Sequence, residues 1–286
     1  MDIAIGLPST IPGATGREVI DWAARADEVG FSSVATIDHV AYPNHESVPV
    51  LAAAAAVTER VRLISAIIIA PYRGNGVLLA KQLATIDSLS NGRLTAGLAV
   101  GGRRSDYDVT GTSFTTRGRD FDEQLRVMRA VWSGESLEEG PVGPAPVQPG
   151  GPPMLFGGRS EAEIRRSLDY GIGWIAGAAG AAAFAQSAEQ VRAAWSAAGR
   201  GKPRLAALAY FSLGARAEDN AAKYLTSYYA FLASPSPIID RAFREESAIV
   251  DGIKEFEAAG CDELILFPCA PELDQLDALA SIALRT

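Results

Sequence analysis

Histidine is scarce in this chain of 286 residues: there are two, His39 and His45, and no His/Asp cluster stands at metal-ligand spacing. A metal-dependent barrel hydrolase is therefore not expected. Lysine is thin as well, and none of Lys81, Lys202, Lys223 and Lys254 stands at the carboxyl end of an expected strand. An aldolase or isomerase that works through a lysine amine lacks its nucleophile. Cysteine is limited to Cys261 and Cys269. They fall at opposite ends of one expected strand, roughly 26 Å apart at the usual rise per residue, which excludes a disulfide between them. Basic charge is in deficit, with 26 Lys and Arg against 34 Asp and Glu and a net charge of −8, so a nucleic-acid partner is not expected. No apolar run is long enough to span a bilayer; the most apolar, 51–57 and 62–70, are short and bounded by proline or charge. The opening MDIAIGLPST lacks the basic and apolar regions of a signal peptide, and the expectation is a cytoplasmic protein.

What is present is alternation. Short β-branched runs recur, each followed by an alanine-rich segment of helical period. The first strand reads as 2–7, closed by Pro8. Helix 17–29 carries one apolar stripe of Val19, Ile20, Ala23, Ala26 and Val29, and Gly30 stops it. A strand over 33–37 runs into Asp38 and His39. Then come helix 48–60, a continuous strand over 62–69, helix 77–90, strand 94–100 and helix 119–132. The stretch 134–153 is rich in glycine and proline and reads as an excursion on the surface rather than a linker. Further strands are expected at 154–156, 174–176, 205–213 and 263–267. The helices between them fall at 161–170, at 182–198, as two segments between 218 and 259, and at 272–284. About eight strands with eight helical connections close a parallel barrel. The fold class is thus α/β, a single-domain (β/α)8 TIM barrel over 1–286. A doubly wound open sheet is the rival, but it needs a glycine-rich turn after the first strand, and LPSTIPG is a poor one.

Polar residues at strand carboxyl ends are the ones a barrel places for chemistry. Asp38 and His39 end the second strand. His39 is either a proton shuttle or a structural histidine, and Asp38 its acidic partner or a loop cap. Gly157-Gly158-Arg159-Ser160 lies between a strand and a helix. Its glycines would let backbone amides approach an anion, or it is a tight turn with Ser160 as a helix N-cap. Tyr72, Arg73 and Tyr107 on loops of the same face, and Trp174 and Phe211 in late strands, would line a substrate pocket or belong to the core.

Six runs carry a family likeness: GFSSVATIDHV (30–40), LAAAAAVTERVRLISAIIIAPYR (51–73), LLAKQLATIDSLSNGRLTAGLAVG (78–101), RGRDFDEQLRVMRAVWSGE (117–135), PMLFGGRSEAEIRRSLDYGIGW (153–174) and AAGCDELILFP (258–268). In these motifs and their order, over nearly the whole chain, the sequence resembles the luciferase-like flavin-dependent oxidoreductases. The resemblance implies a barrel that binds FMN or the deazaflavin coenzyme F420. It makes His39 the residue facing the tricyclic ring, with Asp38 beside it, and places a non-prolyl cis peptide at Ala66-Ile67 behind that ring. It puts Val100 and Gly101 at the cofactor's edge, and Gly157, Gly158, Arg159 and Ser160 on its phosphate. Some FMN-binding relatives carry arginine where Val100 stands, and many have glutamate before the histidine. Both departures favour F420, although the missing arginine also fits loosely held FMN delivered reduced; Arg103 and Arg104 either stand in for it or are exposed loop arginines. The expected activity is F420-dependent hydride transfer to or from a small organic substrate. The alternatives are an FMN-dependent monooxygenase using externally reduced flavin, and a non-catalytic flavin-binding protein. The resemblance also implies a homodimer packed through the helix near 51–57, and a flavin reductase or F420 reductase as electron donor.

Overall fold

The computed structural model describes residues 1–135 and 140–285. Strand and helix alternate: β1 (Asp2–Gly6), α1 (Gly16–Val29), β2 (Ser33–Thr36), α2 (Ser47–Val57), β3 (Arg62–Ser65), β4 (Ile68–Ile69), α3 (Gly76–Leu89) and β5 (Leu94–Ala99). Then follow α4 (Arg104–Thr110), α5 (Arg117–Ser133), β6 (Met154–Gly157), α6 (Glu161–Tyr170), β7 (Gly173–Ala176), α7 (Ala181–Ala197) and β8 (Arg204–Phe211). The chain ends with α8 (Ala217–Tyr228), α9 (Ser236–Asp240), α10 (Glu246–Ala258), β9 (Glu263–Pro268) and α11 (Asp274–Ala283). All named strands pair in parallel, in the order β3-β2-β1-β9-β8-β7-β6-β5-β4, and β3 also pairs with β5, which closes the cylinder. β3 and β4 are two halves of one strand, so the molecule is the expected eight-stranded TIM barrel.

The two-residue period of a strand sorts the side chains into two cores. On β8, Ala206, Leu208 and Tyr210 point to the axis, where they meet Ala4, Ile64, Leu155 and Phe267. Leu205, Ala207, Ala209 and Phe211 point outward into the layer shared with the helices, beside Trp22, Leu51 and Phe121. Trp174 stacks there on Phe184 of α7, with ring centroids 5.8 Å apart. Trp174 and Phe211 are thus core residues of the outer layer. At the amino-terminal end of the barrel, buried Glu263 accepts hydrogen bonds from Ser33 Oγ at 2.5 Å, Ser32 Oγ at 2.8 Å, Arg204 at 2.7 Å and Arg62 at 3.1 Å. That network ties β2, β3, β8 and β9 together.

The structure departs from the sequence reading in three places. The strand expected over 62–69 is broken, with a cis peptide at Ala66-Ile67, where the family likeness put one. Its neighbours make room for the break. A Cβ on Gly97 of β5 would lie 2.0 Å from Ser65 O, and one on Gly157 of β6 would lie 2.8 Å from Ile67 Cδ1. A short helix, α4, follows β5 where a loop was expected, and three helices rather than two occupy 218–259. Of the excursion over 134–153, residues 136–139 lie outside the described residues. The rest is pinned to α3: Asp87 accepts from Val147 N, Gln148 N and Gln148 Nε2 at 2.8, 3.0 and 2.7 Å. Both cysteines are free and buried. Among the described residues no helix is long and apolar enough to cross a membrane.

Candidate active site

The loop after β2 delivers His39 to the carboxyl-terminal mouth of the barrel. Its Nδ1 lies 2.7 Å from Asp106 Oδ2. The other oxygen of Asp106 accepts from the amides of Val40 at 3.0 Å and Ala41 at 2.8 Å. Burial works to raise the Asp106 carboxyl, but the His39 contact and the two amides outweigh it and hold the group below the usual carboxylate range. An ionised carboxylate only accepts, so His39 Nδ1 carries the hydrogen and Nε2 is the basic nitrogen. Nε2 has no hydrogen-bond partner among the described residues, and the side chain is 13% exposed. Asp106 sits on α4, the helix the sequence did not announce.

Asp38 does something else. Its side chain is fully buried and accepts from Ser47 Oγ at 3.0 Å, Ile69 N at 3.0 Å and Tyr72 Oη at 2.5 Å. Arg73 Nη2 spans both oxygens at 3.0 and 3.1 Å. Desolvation opposes the Arg73 charge, yet Asp38 and Glu46 beside it leave the guanidinium more basic than usual; burial raises Tyr72. Asp38 therefore joins the loop after β2, the start of α2 and the loop after β4. The acid on the imidazole is Asp106. Tyr72 and Arg73 turn into this network, and Tyr107 gives its hydroxyl to Val100 O, so these three shape the mouth from behind rather than project into it. His45 holds Ala14 O through Nε2 at 2.9 Å, a structural contact.

The remaining expected residues surround the mouth. Ile67, partly exposed beside buried Ala66, forms an aliphatic shelf against which Gly157 packs. Gly101 lies over Ile69, where a Cβ would approach Cγ2 to 2.9 Å. Gly158, Arg159 and Ser160 are exposed. Ser160 caps α6 by accepting from Glu163 N at 3.4 Å, and Gly158 O accepts from Trp174 Nε1 at 2.6 Å.

An aromatic group missed by the sequence reading closes the other side. Tyr228, at the end of α8, and Phe231 just beyond it lie 5.1 and 5.9 Å from the His39 ring. Tyr210 and Tyr229 share a hydrogen bond of 2.9 Å, and Tyr224 bonds Thr10 at 2.6 Å. Burial pushes the phenols of Tyr210, Tyr224 and Tyr228 well above their ordinary value and that of Tyr229 up to about 12, so all stay protonated at neutral pH. Arg103 lies among the rings of Tyr42, Tyr228 and Phe231, at 5.4, 5.6 and 4.4 Å. Arg104 is exposed and faces Asp108. Beside the tyrosines a cavity of about 700 Å³ opens between the loop after β7 and the segment 238–256, floored by Leu208, Ala209 and Tyr210. Only the clustering of tyrosines at 224, 228 and 229 hinted at this group in the sequence.

Comparison with known proteins gives a consistent picture. Residues 1–260 match the family model described as luciferase-like monooxygenase. An uncharacterized protein of Mycobacterium tuberculosis is 32% identical over 168 residues, 55% of this chain and 59% of that protein. An F420-dependent glucose-6-phosphate dehydrogenase of Amycolatopsis mediterranei is 28% identical over 130 residues, 42% of this chain and 39% of that one. The chain thus spans less than two-thirds of the length of these relatives. Among solved structures, an F420-dependent secondary alcohol dehydrogenase in complex with an F420-acetone adduct superposes with a TM-score of 0.82 at 20% identity, covering 99% of this chain and 98% of that one. The FMN complex of the oxygenating constituent of 3,6-diketocamphane monooxygenase from Pseudomonas putida gives 0.75 at 15% identity, with 99% and 97% covered. At such identities the likeness is one of fold.

Proposed function

Because the chain belongs to the luciferase-like monooxygenase family, we propose that it is an oxidoreductase that binds F420 in the barrel mouth and uses His39 to move the proton accompanying hydride transfer to or from a small organic substrate. The observation that carries this reading is the His39–Asp106 pair, which leaves Nε2 bare and without a hydrogen-bond partner among the described residues. The residues present suit a flat tricyclic ring. Ile67 offers an aliphatic shelf beside Ala66, Gly101 lies over Ile69, Val100 would stand at the ring's edge, and Gly157 is small enough to let the shelf stand. The turn from buried Gly157 through exposed Gly158, Arg159 and Ser160 at the start of α6 would hold the cofactor's phosphate. When bound, the cofactor supplies hydride exchange.

The chain's own residues do the rest. Asp106 fixes the imidazole tautomer, Asp38 locks the loops that carry His39 and Arg73, and the tyrosines with Phe231 keep water from the reacting face. Val100 in place of a phosphate-facing arginine, and Asp38 before the histidine, favour F420 over FMN. FMN-dependent monooxygenation is the second reading, favoured by the FMN-bound neighbour. A homodimer through α2, and a flavin or F420 reductase as electron donor, extend the same proposal.

Parallel equilibrium titration of the purified chain with F420 and FMN, followed by fluorescence, tests the cofactor. F420 is expected to bind at least tenfold more tightly. Preference for FMN would replace the cofactor assignment, and failure of both would leave the fold alone. In His39→Ala the cofactor is retained and turnover lost; a carrier without catalysis has no turnover to lose.

A further inference from the structure

Arg103 is 6% exposed, yet among the described residues no carboxylate lies within ion-pair distance of it. Beside three aromatic rings, its guanidinium donates only to backbone carbonyls, Ala41 O at 3.4 Å and Tyr228 O, and its buried Nε has no hydrogen-bond partner among the described residues. The other well-buried arginines differ. Arg73 has Asp38 and Glu46, and Arg166 has Glu163 and Asp122. A buried cation with no counter-charge is costly to keep unless an anion arrives to pair with it.

We propose that Arg103 is the anchor for a substrate carboxylate, making this an oxidoreductase of small carboxylate-bearing molecules. The proposal rests on the reading of the His39 face as the reaction site, and supplies its substrate class. Three features support it. First, the free Nε and the adjacent Nη are the side-on edge of a guanidinium, which matches the two oxygens of a carboxylate. Second, the walls are the rings of Tyr42, Tyr228 and Phe231. They suit a planar monoanion with an apolar body. A phosphate would call for a second cation, and Arg104 is exposed and turned to Asp108. Third, Arg103 and His39 share these rings, since Tyr228 and Phe231 also lie against the imidazole. Ala41 joins them directly, its amide on Asp106 and its carbonyl facing Arg103. A carboxylate held at Arg103 leaves the carbon a few bonds away beside His39 Nε2. Phe231, 41% exposed, lies between the guanidinium and solvent, and an arriving carboxylate would have to displace it. The anchor is separate from the turn Gly157–Ser160, because Arg103 leans toward the loop after β2 and the end of α8.

The test uses calorimetric titration of the full chain at neutral pH with benzoate and 3-phenylpropionate, and with their uncharged amides. The acids are expected to bind at least tenfold more tightly than the amides. Arg103→Met should remove that preference, Arg103→Lys should keep part of it, and Arg104→Met should keep all of it. Should the methionine variant fail to fold by circular dichroism, the lysine variant decides, because a compact ammonium lacks the fork and must weaken acid binding several-fold. Equal binding of acids and amides, no binding of either acid to the wild type, or a preference that survives at full strength in the folded Arg103 variants overturns the proposal. The F420 and FMN titrations are read separately. Cofactor binding without acid preference sinks the anchor alone, and acid preference without cofactor binding sinks the oxidoreductase reading alone.

Discussion

Replacing Asp106 by Asn changes one atom's hydrogen-bonding character at the centre of the site. In the wild type Asp106 Oδ2 lies 2.7 Å from His39 Nδ1, and the carboxyl is held ionised by two backbone amides as well as the imidazole. Asparagine can keep its oxygen on the Val40 and Ala41 amides, which turns its NH₂ toward Nδ1. That nitrogen must then accept, and the hydrogen moves to Nε2. A hydrogen bond to a charged group is worth about 1.5–3 kcal/mol, so the tautomer ratio is set at roughly ten- to hundredfold toward Nδ1–H in the wild type and should reverse in the variant. The chain has two histidines, which makes the assay direct. Nitrogen-15 imidazole spectra, recorded well above the ordinary histidine value of about 6.5, separate protonated from bare ring nitrogens. His45 is the internal standard: its Nε2 faces the carbonyl of Ala14, an acceptor, and must carry the hydrogen in both proteins. The wild type should therefore show one histidine of each tautomer, and Asp106→Asn two of the Nε2–H kind. Turnover should fall by roughly 10²-fold or more. Two identical tautomers in the wild type, or an unchanged spectrum in the variant, would refute the role given to Asp106.

Two further outcomes follow from the scaffold. Glu263→Gln removes the charge from the buried network at the barrel's amino-terminal end, at a cost of about 1.5–3 kcal/mol near neutral pH. Burial raises this carboxyl, but Ser33 and the two arginines override it, so the folded value lies below the ordinary 4.5. The stabilisation is therefore complete above 4.5 and lost as pH falls through the folded value, and the gap between wild type and variant should close with acidification. Urea denaturation at neutral and acidic pH measures it; a gap that widens in acid contradicts the assignment. Gly97→Ala places a methyl 2.0 Å from Ser65 O and must push the Ala66–Ile67 break out of place. About 1–3 kcal/mol of stability should be lost, together with cofactor affinity. An unchanged urea midpoint would show that the break tolerates a side chain.

The strand–helix alternation was plain in the sequence because burial on both faces of a barrel strand leaves an unbroken apolar run, and helices repeat on a different period. The same uniformity hid the break in the third strand. Ser65-Ala66-Ile67-Ile68 reads as an ordinary buried strand, and the glycines that make room for the break, Gly97 and Gly157, stand 31 and 91 positions beyond Ala66 and meet it only in space. Family likeness, not residue type, located it. His39 was legible because it follows a strand's carboxyl end. Asp106 was not, since it lies 67 positions away on a seven-residue helix whose N-cap and first residue are arginines after a glycine pair.

The two aspartates show why adjacency in sequence misleads about chemistry. Asp38 and His39 are neighbours in the loop after β2, yet their side chains go to different partners, one to Arg73 and Tyr72 and the other to Asp106. Asp38 turns back to Arg73 and Tyr72, where four donor groups hold its buried side chain and bind the loops together. The imidazole is left to find its acid across the barrel mouth, on the element that follows β5. Asp106 spans both levels, holding the imidazole with one oxygen and the backbone of the His39 loop with the other. Position and proton placement are thereby fixed by a single side chain, so a change at Asp106 that preserved the loop would still alter the chemistry, whereas a change at Asp38 reaches His39 only through the loop.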